Sequence, residues 1–466
     1  MRRKNRFWRL VLFVYLAFLV LSALYFVPTR LGVVTLRPID LLAALRPIQP
    51  DSALCDADTL ELTHTQADPA DSVAQQRAIA DSLRNALFAS NEMAADSTGS
   101  VQNVFFEDYS PDGRGLAHCF RKLIHHEGML YMAFLGDSFI EADIFTLDVR
   151  RMLQQRYGGR GVGWMPLSSG VAGYRRGIRH QFSGWQEITP LTSWRKDYLL
   201  NQHIYRAESA RTTYELPAEA TPFQSVSLFY KSNVALPFTL TVGDSVRSDS
   251  LTPSTELMCY RTICSARSVT LRIPRAEGAL FYGVALDGEG QGVAIDNFSL
   301  RSSSGTHLLT LNDQEAGALQ RLRPYGLIVL QYGMNVVSQG VYRYNEYEDK
   351  LVQTITKLKH DYPNADILIM GVSDRAQRRN GEMQSMPELT ALRKAQRNAA
   401  RRCGVLFWDT YQAMGGTNSM LRWVANGWAA KDYTHLSFSG GRELAKHFVD
   451  AFLLEETYYR KLRAQQ

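Results

Sequence analysis

The sequence predicts a three-layer α/β domain with a parallel sheet, interrupted by an inserted β-sandwich of the jelly-roll type and preceded by one N-terminal transmembrane helix. Continuous apolar runs at residues 129–135, 327–332 and 367–372 are typical of parallel strands that are buried on both faces. Short β-like runs without long helices fill much of the region between the first two runs, which favours a sandwich. A long uncharged apolar segment near the N-terminus predicts the transmembrane helix.

That apolar segment, residues 10–27, is long enough as a helix to cross a hydrocarbon core of roughly 30 Å. Residues 1–9 are rich in arginine and lysine, and such segments stay in the cytoplasm, so we expect the rest of the chain on the periplasmic or extracytoplasmic side. A cleaved signal peptide is the alternative. The run ends at Val27 and Pro28 without a small-residue cleavage site, which favours an uncleaved, single-pass anchor in the inner (cytoplasmic) membrane.

The remaining chain is predicted to form a tether and a split domain. Residues 28–104 are polar with scattered proline and are interpreted as the tether. The α/β domain is predicted in two parts, residues 105–172 and 302–466, on either side of the inserted sandwich at residues 173–301. The patterns predict helices at 72–88, 115–126, 145–156, 347–362, 387–402 and 439–454, and further strands at 225–230, 238–242, 268–273, 280–286, 293–300 and 405–408.

Charge and cysteine usage argue against several kinds of partner. The formal net charge of +6 arises largely from the N-terminal segment, and no basic patch with interleaved aromatic residues follows, so nucleic acid is not an expected partner. The five cysteines form no C-x-x-C pair and no zinc spacing, although Cys259 and Cys264 could bridge a hairpin or remain free thiols. Residues 125–127 (HHE) lack the H-E-x-x-H arrangement, so we expect neither a metal nor a cofactor.

The polar turn Gly136-Asp137-Ser138 follows the first apolar run and precedes a helical pattern. Open α/β sheets bind their ligands at the carboxyl ends of the strands. A serine in such a turn, near exposed backbone N–H groups, can act as a nucleophile. Asp and Ser are also common in ordinary helix-capping turns, so this turn alone does not predict catalysis.

Two other polar turns are predicted at the active-site end of the domain. Asp432 and His435 are separated by a spacing that lets the carboxylate reach one ring nitrogen while the other nitrogen faces a serine. Gly333-Met334-Asn335 follows the second apolar run, where the Asn335 amide could donate to a developing oxyanion or form an ordinary Asx turn. The ordered combination of these turns is a stronger signal than any one of them.

Taken together, GDS at 136–138, GMN at 333–335 and DYTH at 432–435 resemble the blocks of the SGNH (GDSL) hydrolases. The family is named for a catalytic Ser, an oxyanion Gly, an oxyanion Asn and a catalytic His. The resemblance covers about residues 105–170 and 300–455 and implies a flavodoxin-like fold. The stretch that begins at GDS is also similar to bacterial peptidoglycan O-acetylesterases, which carry a β-sandwich resembling a carbohydrate-binding module between the first and second blocks.

The resemblance implies that Ser138, Asp432 and His435 form the catalytic triad. A serine nucleophile, an imidazole base and a carboxylate that orients the base are the groups that acyl transfer requires. Competing catalytic motifs are missing from the sequence: it contains no G-x-S-x-G elbow, and its GGRGVG segment follows a helical pattern rather than a strand.

The resemblance also implies an oxyanion hole made by the Asn335 amide and a backbone N–H group. The sequence departs from the family at the oxyanion glycine, because the aligned position is Ser302 and the next glycine is Gly305. Either residue could supply a backbone N–H. Phe139 and Glu141 stand where relatives often carry His and Gln, so the substrate does not follow directly from the resemblance.

These features predict a serine esterase that removes acyl groups, with acetyl expected, from an envelope glycan such as peptidoglycan. Acylated glycan and the membrane are the expected partners. Two alternatives remain open: an O-acetyltransferase that acts on the same glycan, and a non-catalytic glycan-binding envelope protein. Trp185, Trp194 and Tyr198 could stack on sugars or belong to a core.

Overall fold

The computed structural model describes Arg30–Leu31 (β1), Val34–Thr35 (β2), residues 69–96 and residues 104–464. The chain divides into two compact units, residues 1–66 and residues 67–466. In the first unit, β1 and β2 pair antiparallel. The predicted transmembrane segment at residues 10–27 lies outside the described residues, and none of the helices within the described ranges is both long and apolar enough to span a membrane.

The centre of the second unit is a six-stranded sheet whose first five strands run parallel. In spatial order the strands are β16 (Gly292–Ser299), β4 (Met129–Gly136), β17 (Tyr325–Gln331), β18 (Asp366–Met370), β21 (Leu406–Trp408) and the antiparallel edge strand β3 (Glu107–Asp108). Ser299 and Gln331 both pair with Gly136. Three neighbouring strands therefore end together at one edge of the sheet.

Helices cover both faces of this sheet and complete three layers. They are α1 (Pro69–Asp96), α2 (Ala117–His125), α3 (Thr146–Tyr157), α4 (Asp313–Leu322), α5 (Asn345–Asp361), α6 (Leu389–Cys403), α7 (Thr410–Ala413), α8 (Ser419–Ala425) and α9 (Phe438–Ala464). Side chains of β4 alternate between two apolar clusters, with Met132 and Phe134 in one and Ala133 and Leu135 in the other. The α/β class predicted from the doubly buried strands is confirmed.

Two antiparallel sheets, here called the β unit (residues 161–287), lie between β4 and β16 in the chain. One contains β5 (Gly161–Met165), β7 (Gln186–Ile188), β8 (Ile204–Arg206), β10 (Phe223–Ser232), β13 (Ser254–Ala266) and β15 (Ala279–Asp287); the other contains β6 (Arg179–Ser183), β9 (Ala210–Glu215), β11 (Leu236–Val242), β12 (Ser245–Leu251) and β14 (Ser268–Ile273). Leu228 and Phe281 of the first sheet share an apolar cluster with Leu240 and Leu271 of the second.

The limits of the β unit differ from the predicted insertion at residues 173–301. Strand β5 pairs with β15, so the unit already includes Gly161. The predicted strand at 293–300 exists as β16, but it pairs in parallel with β4 and belongs to the α/β sheet. An apolar run reveals burial and not the pairing partner, so the sequence could not assign these two strands.

Cys259 and Cys264 lie on one strand, β13, and both are free thiols. Two residues of a single extended strand are too far apart for a disulfide, since each residue advances the chain by about 3.3 Å. The hairpin bridge considered from the sequence is therefore wrong, and the free-thiol alternative describes this strand.

Part of the predicted tether packs against the α/β domain. Helix α1 is longer than the predicted helix, and its Arg84 is buried, donating at 3.0 Å to Glu455 of α9 and at 3.1 Å to Asp108. Ala80 and Leu87 form an apolar cluster with Tyr458 on the same side. A buried charge pair requires good geometry and hydrogen bonds on both partners, which ties α1 to the domain. The spacer role is therefore wrong for residues 69–96.

Candidate active site

The serine turn follows β4 at the edge where three strands end. Gly136 has no space for a side chain, because a Cβ atom there would lie 2.8 Å from the Gln331 carbonyl oxygen. The Leu300 N–H donates to the Gly136 carbonyl at 2.8 Å, which places the residues after β16 beside the turn. The N–H group of Ser138 has no acceptor within the described part of the chain. Helix α3 begins at Thr146, after a 3₁₀ turn at Glu141–Asp143, within one residue of its predicted start.

The structure places the three residues of the predicted triad in one hydrogen-bonded chain. Ser138 Oγ lies 2.9 Å from His435 Nε2, and His435 Nδ1 lies 2.7 Å from Asp432 Oδ2. Asp432 Oδ1 also accepts the backbone N–H groups of Thr434 and His435, at 3.0 and 3.1 Å. This chain holds the imidazole in the orientation that a general base for Ser138 needs.

The Asp432 carboxylate is kept ionised by its neighbours. Partial burial acts to raise its pKa, but the hydrogen bonds from the side chain and backbone of His435 and from the Thr434 N–H outweigh burial and lower it. The triad stays open to water, since the side chains of His435 and Asp432 are 40% and 49% exposed. Water can therefore reach the base, as the second half of an ester hydrolysis requires.

The three predicted oxyanion residues differ in what their N–H groups do. Asn335 Nδ2 donates to Asp137 Oδ2 at 3.2 Å and to the Ser303 carbonyl at 3.1 Å. The Gly305 N–H donates to Ser303 Oγ at 3.1 Å, so it is already occupied. Ser302 has a left-handed backbone, with φ of 64°, and its N–H has no acceptor among the described residues. Of the two candidate backbone donors, Ser302 is the one whose N–H is free.

Gly305 has a different role from the one implied by the resemblance. Its φ is +85°, and a Cβ atom there would lie 2.6 Å from the ring of Tyr332. Glycine is needed for this close approach and for the left-handed backbone. Gly305 thus lets the loop after β16 pack on the residue that follows β17.

Asp137 is a further residue of this site that the sequence analysis does not predict. Its side chain is fully buried, and Oδ1 accepts the Phe139 N–H at 2.9 Å while Oδ2 accepts the Asn335 amide. Burial raises the pKa of Asp137 to about 6, although the Phe139 N–H and the attraction of His435 oppose this rise. The signal was available, because an acidic residue beside the nucleophile was part of the GDS motif.

The three aromatic residues that were expected either to stack on sugars or to belong to a core differ in their burial. Tyr198 is buried, and Trp185 packs against Phe281 in the core of the β unit, whereas Trp194 is exposed. Among the described residues, two carboxylates and an imidazole lie close enough together to hold a metal ion, those of Asp313, Asp361 and His360. The ammonium group of Lys357 contacts the carboxylates of both Asp313 and Asp361. It therefore already provides the positive charge that a metal ion would bring to this group.

Comparison with known proteins adds the family. Residues 275–442 match the GDSL-like lipase/acylhydrolase family. The chain carries an SGNH hydrolase domain. The matched range of this hydrolase includes Asn335, Asp432 and His435, whereas Ser138 lies before it, on the other side of the β unit. With its triad assembled, the SGNH domain is that of a carboxylic-ester hydrolase.

A solved structure supports the fold of this SGNH hydrolase. A structure titled "Peptidoglycan O-acetylesterase in action" is 24% identical, with a TM-score of 0.63, and the match covers 77% of this chain and 99% of that chain. A family two carbohydrate esterase from Clostridium thermocellum is 11% identical, with a TM-score of 0.25, over 53% of this chain and 92% of its own, and carries no further argument. None of the curated proteins matches the chain significantly.

Proposed function

We propose that this SGNH hydrolase removes acetyl groups from sugar hydroxyls of a cell-envelope glycan such as peptidoglycan. The observation that carries the proposal is the Ser138–His435–Asp432 chain, since it supplies a nucleophile, a base and an orienting carboxylate at an exposed sheet edge. The similarity over most of the chain to a structure titled as a peptidoglycan O-acetylesterase supports the choice of substrate.

The reaction proceeds in two acyl-transfer steps. His435 Nε2 takes the proton of Ser138 Oγ, which attacks the ester carbonyl, and the N–H groups of Ser138 and Ser302 with the Asn335 amide stabilise the oxyanion. The sugar oxygen leaves with the proton from His435, and the acetyl group stays on Ser138. Water then gives a proton to His435 and attacks the acyl-enzyme. His435 returns that proton to Ser138 Oγ as the Oγ–acyl bond breaks and acetate leaves.

Water is the favoured acceptor in the second step. The exposure of His435 and Asp432 leaves the base accessible to solvent, whereas an acetyltransferase must keep water from the acyl-enzyme until a sugar hydroxyl arrives. The intact hydrogen-bonded triad also weighs against the alternative of a non-catalytic glycan-binding protein.

The location is part of the proposal. A membrane anchor at residues 10–27, with the catalytic domain on the extracytoplasmic side, would hold the esterase next to the glycan that it modifies. The basic residues before the anchor and the apolar length of the segment support this topology.

Acetate release from a native glycan tests the function. The purified full chain in detergent is incubated with p-nitrophenyl acetate, with O-acetylated peptidoglycan and with the same peptidoglycan after chemical de-O-acetylation. We expect acetate only from the acetylated samples and none with Ser138→Ala. Transfer of acetyl groups to an added glycan, in place of free acetate, would instead identify an O-acetyltransferase.

A further inference from the structure

A β-hairpin that follows β18 packs against one of the catalytic turns. It consists of β19 (Ala376–Arg379) and β20 (Glu382–Ser385), which pair antiparallel. The Ala376 N–H donates at 3.1 Å to the carbonyl of Tyr433, which lies between Asp432 and His435 in the chain. Tyr433 has a left-handed backbone, with φ of 56°, so this hydrogen bond helps to hold a strained turn. The base of the hairpin is therefore fixed beside the general base of the triad.

Arg375, the residue before the hairpin, reaches another turn of the site. Its Nη1 donates at 3.3 Å to the carbonyl of Met334, the residue that precedes Asn335. The backbone N–H of Arg375 donates to Asp374 Oδ1 at 2.9 Å, and its carbonyl accepts the Met386 N–H at 2.9 Å. Both backbone groups and the side chain are thus held, so the guanidinium has a defined position next to the oxyanion amide.

The guanidinium of Arg375 has no counter-charge in the described part of the chain. The neighbouring carboxylate of Asp374 is buried, and its second oxygen accepts the Met420 N–H at 2.8 Å and the Ser385 hydroxyl at 2.9 Å. Arg375 forms no ion pair with this carboxylate or with any other described acid. The side chain is half-buried and donates to one backbone carbonyl of the described residues, so most of its five N–H donors stay free.

A free guanidinium at this position suits one kind of ligand. Its planar fork matches the two oxygens of a carboxylate, and such a charge-assisted pair is about twice as strong as a neutral hydrogen bond. The acyl group of the proposed substrate is acetyl, whose methyl carries no charge, so the anion has to belong to the alcohol part of the ester. One guanidinium near the buried carboxylates of Asp137 and Asp374 balances a single negative charge better than a doubly charged phosphate.

We propose that Arg375 binds a carboxylate on the alcohol side of the ester and so selects an acidic glycan as the substrate. The inference rests on the proposed function and deepens it, because it names a specificity-determining residue and the charge of the sugar chain. The carboxylate is either a substituent of a sugar or the end of an attached peptide, and both present the same two oxygens to the guanidinium. Arg375 makes and breaks no bond of the ester, so its loss should raise KM for acidic esters and spare kcat for neutral ones.

Small esters test the site without any glycan. The pairs are meta- and para-acetoxybenzoate with the matching acetoxybenzamides, which differ only in the charged group. For the wild type we expect kcat/KM about ten-fold higher for the acid of at least one pair, whereas Arg375→Gln should abolish this preference and Arg375→Lys should keep part of it. Arg378→Gln is the matched control, since Arg378 is an exposed arginine of the same hairpin whose Nη1 donates to the Gly381 carbonyl at 2.6 Å. A preference that Arg375→Gln leaves unchanged, or equal losses for acid and amide through the contact to Met334, would overturn the inference.

Binding of glycan then identifies the source of the carboxylate. The full chain carrying Ser138→Ala is titrated by calorimetry with a peptidoglycan-sugar oligomer whose carboxylates are free, with its carboxamide form, and with an oligomer that carries peptide stems. Adding Arg375→Gln should raise the Kd of the free-acid or the stem-bearing oligomer about ten-fold, according to which carboxylate binds, and leave that of the carboxamide form unchanged. An equal rise for the carboxamide form, or no rise for either acid, would overturn the inference. A preference for acidic small esters that depends on Arg375, without acetate release from any glycan, would instead reject only the proposed function.

Discussion

The side-chain amide of Asn335 donates to the buried carboxylate of Asp137, with 3.2 Å between Nδ2 and Oδ2. Its second hydrogen goes to the Ser303 carbonyl at 3.1 Å, so both donors of the amide are occupied. An oxyanion therefore has to replace one of these acceptors or share its hydrogen. The Ser303 carbonyl is the weaker competitor, because a hydrogen bond to an ionised group is about twice as strong as a neutral one.

Removal of the Asn335 amide should slow the chemical step. We expect Asn335→Ala to reduce kcat for p-nitrophenyl acetate by about 10²–10³-fold, the usual cost of one oxyanion donor. Asn335→Asp should be at least as slow, because it removes the donor and puts a second carboxylate next to Asp137. Thermal unfolding of both variants is the control, because it shows how much stability is lost with the hydrogen bond from Asn335 to the Ser303 carbonyl. A decrease in kcat of less than three-fold in a folded Asn335→Ala variant would rule out an oxyanion role.

Ser138→Ala and His435→Ala should each abolish detectable esterase activity, because each removes a group that the acyl-transfer step requires. The measurement is hydrolysis of p-nitrophenyl acetate, with circular dichroism to show that each variant is folded. A fluorophosphonate probe should label wild-type protein at Ser138 and should not label Ser138→Ala. Labelling of another serine, or residual activity in folded Ser138→Ala, would reject this nucleophile.

Asp432→Asn should cost less than either of those changes and still several orders of magnitude in kcat, about 10⁴-fold by comparison with other triads. The amide can no longer stabilise the imidazolium or hold the same ring tautomer. The double variant Asp432→Asn/His435→Ala should be no slower than His435→Ala alone, since the two residues act as one unit. Additive losses in the double variant would mean that Asp432 acts independently of His435.

The parallel sheet could be predicted from the sequence because its strands are buried on both faces and read as continuous apolar runs. Strand β17 and strand β18 were predicted to within a few residues for that reason. Helix α9 extends well beyond its predicted end, to Ala464. Its last turns bury Glu455 against Arg84. In the sequence, a helix that buries a charged pair looks the same as a helix whose charged side chains face solvent, so this packing could not be predicted.

The triad was also predictable, because Asp432 and His435 are close in sequence and Ser138 follows a recognisable strand. The choice between Ser302 and Gly305 was not predictable. It depends on which N–H is free, and the acceptor of the Gly305 N–H, Ser303 Oγ, becomes apparent only in three dimensions. Asp137 belongs to the recognisable GDS motif, but its hydrogen bond with Asn335, which is remote in the chain, becomes apparent only in three dimensions.

The proposed topology predicts that the chain is found in the membrane fraction. Residues 10–27 are expected to partition into lipid, because they are uncharged and mostly apolar, and the preceding arginine and lysine residues are expected to resist translocation. Protease added to spheroplasts should therefore digest the catalytic domain, as detected by an antibody against it, while a cytoplasmic marker protein stays intact. Recovery of the chain as a soluble cytoplasmic protein, or protection of its domain from external protease, would exclude both the anchor and an envelope glycan as substrate.

His180 should make the protein sensitive to mild acid. It lies in β6, is 7% exposed, and stacks on Tyr214 with ring centroids 4.8 Å apart. Burial, with a smaller contribution from nearby Arg175, lowers the pKa of His180 to about 4. In the unfolded chain this proton is taken up near pH 6.5, the ordinary pKa of histidine, whereas in the folded protein the pKa of His180 is about 4. The stabilisation is therefore fully present above pH 6.5 and is lost as the pH falls toward 4.

The expected loss is about 3 kcal/mol over that interval, from about 1.4 kcal/mol for each unit of pKa difference. His180→Phe keeps an aromatic ring on Tyr214 and removes the titrating group, at the expense of a long 3.4 Å contact to the Leu167 carbonyl. Urea unfolding at pH 7.5 and pH 4.5 should show a smaller difference in unfolding free energy for His180→Phe than for the wild type, with His360→Gln as a control substitution of an exposed histidine. Parallel pH dependence of wild type and His180→Phe would mean that His180 is not the source of the acid sensitivity, because only a variant that removes the titrating group can flatten the curve.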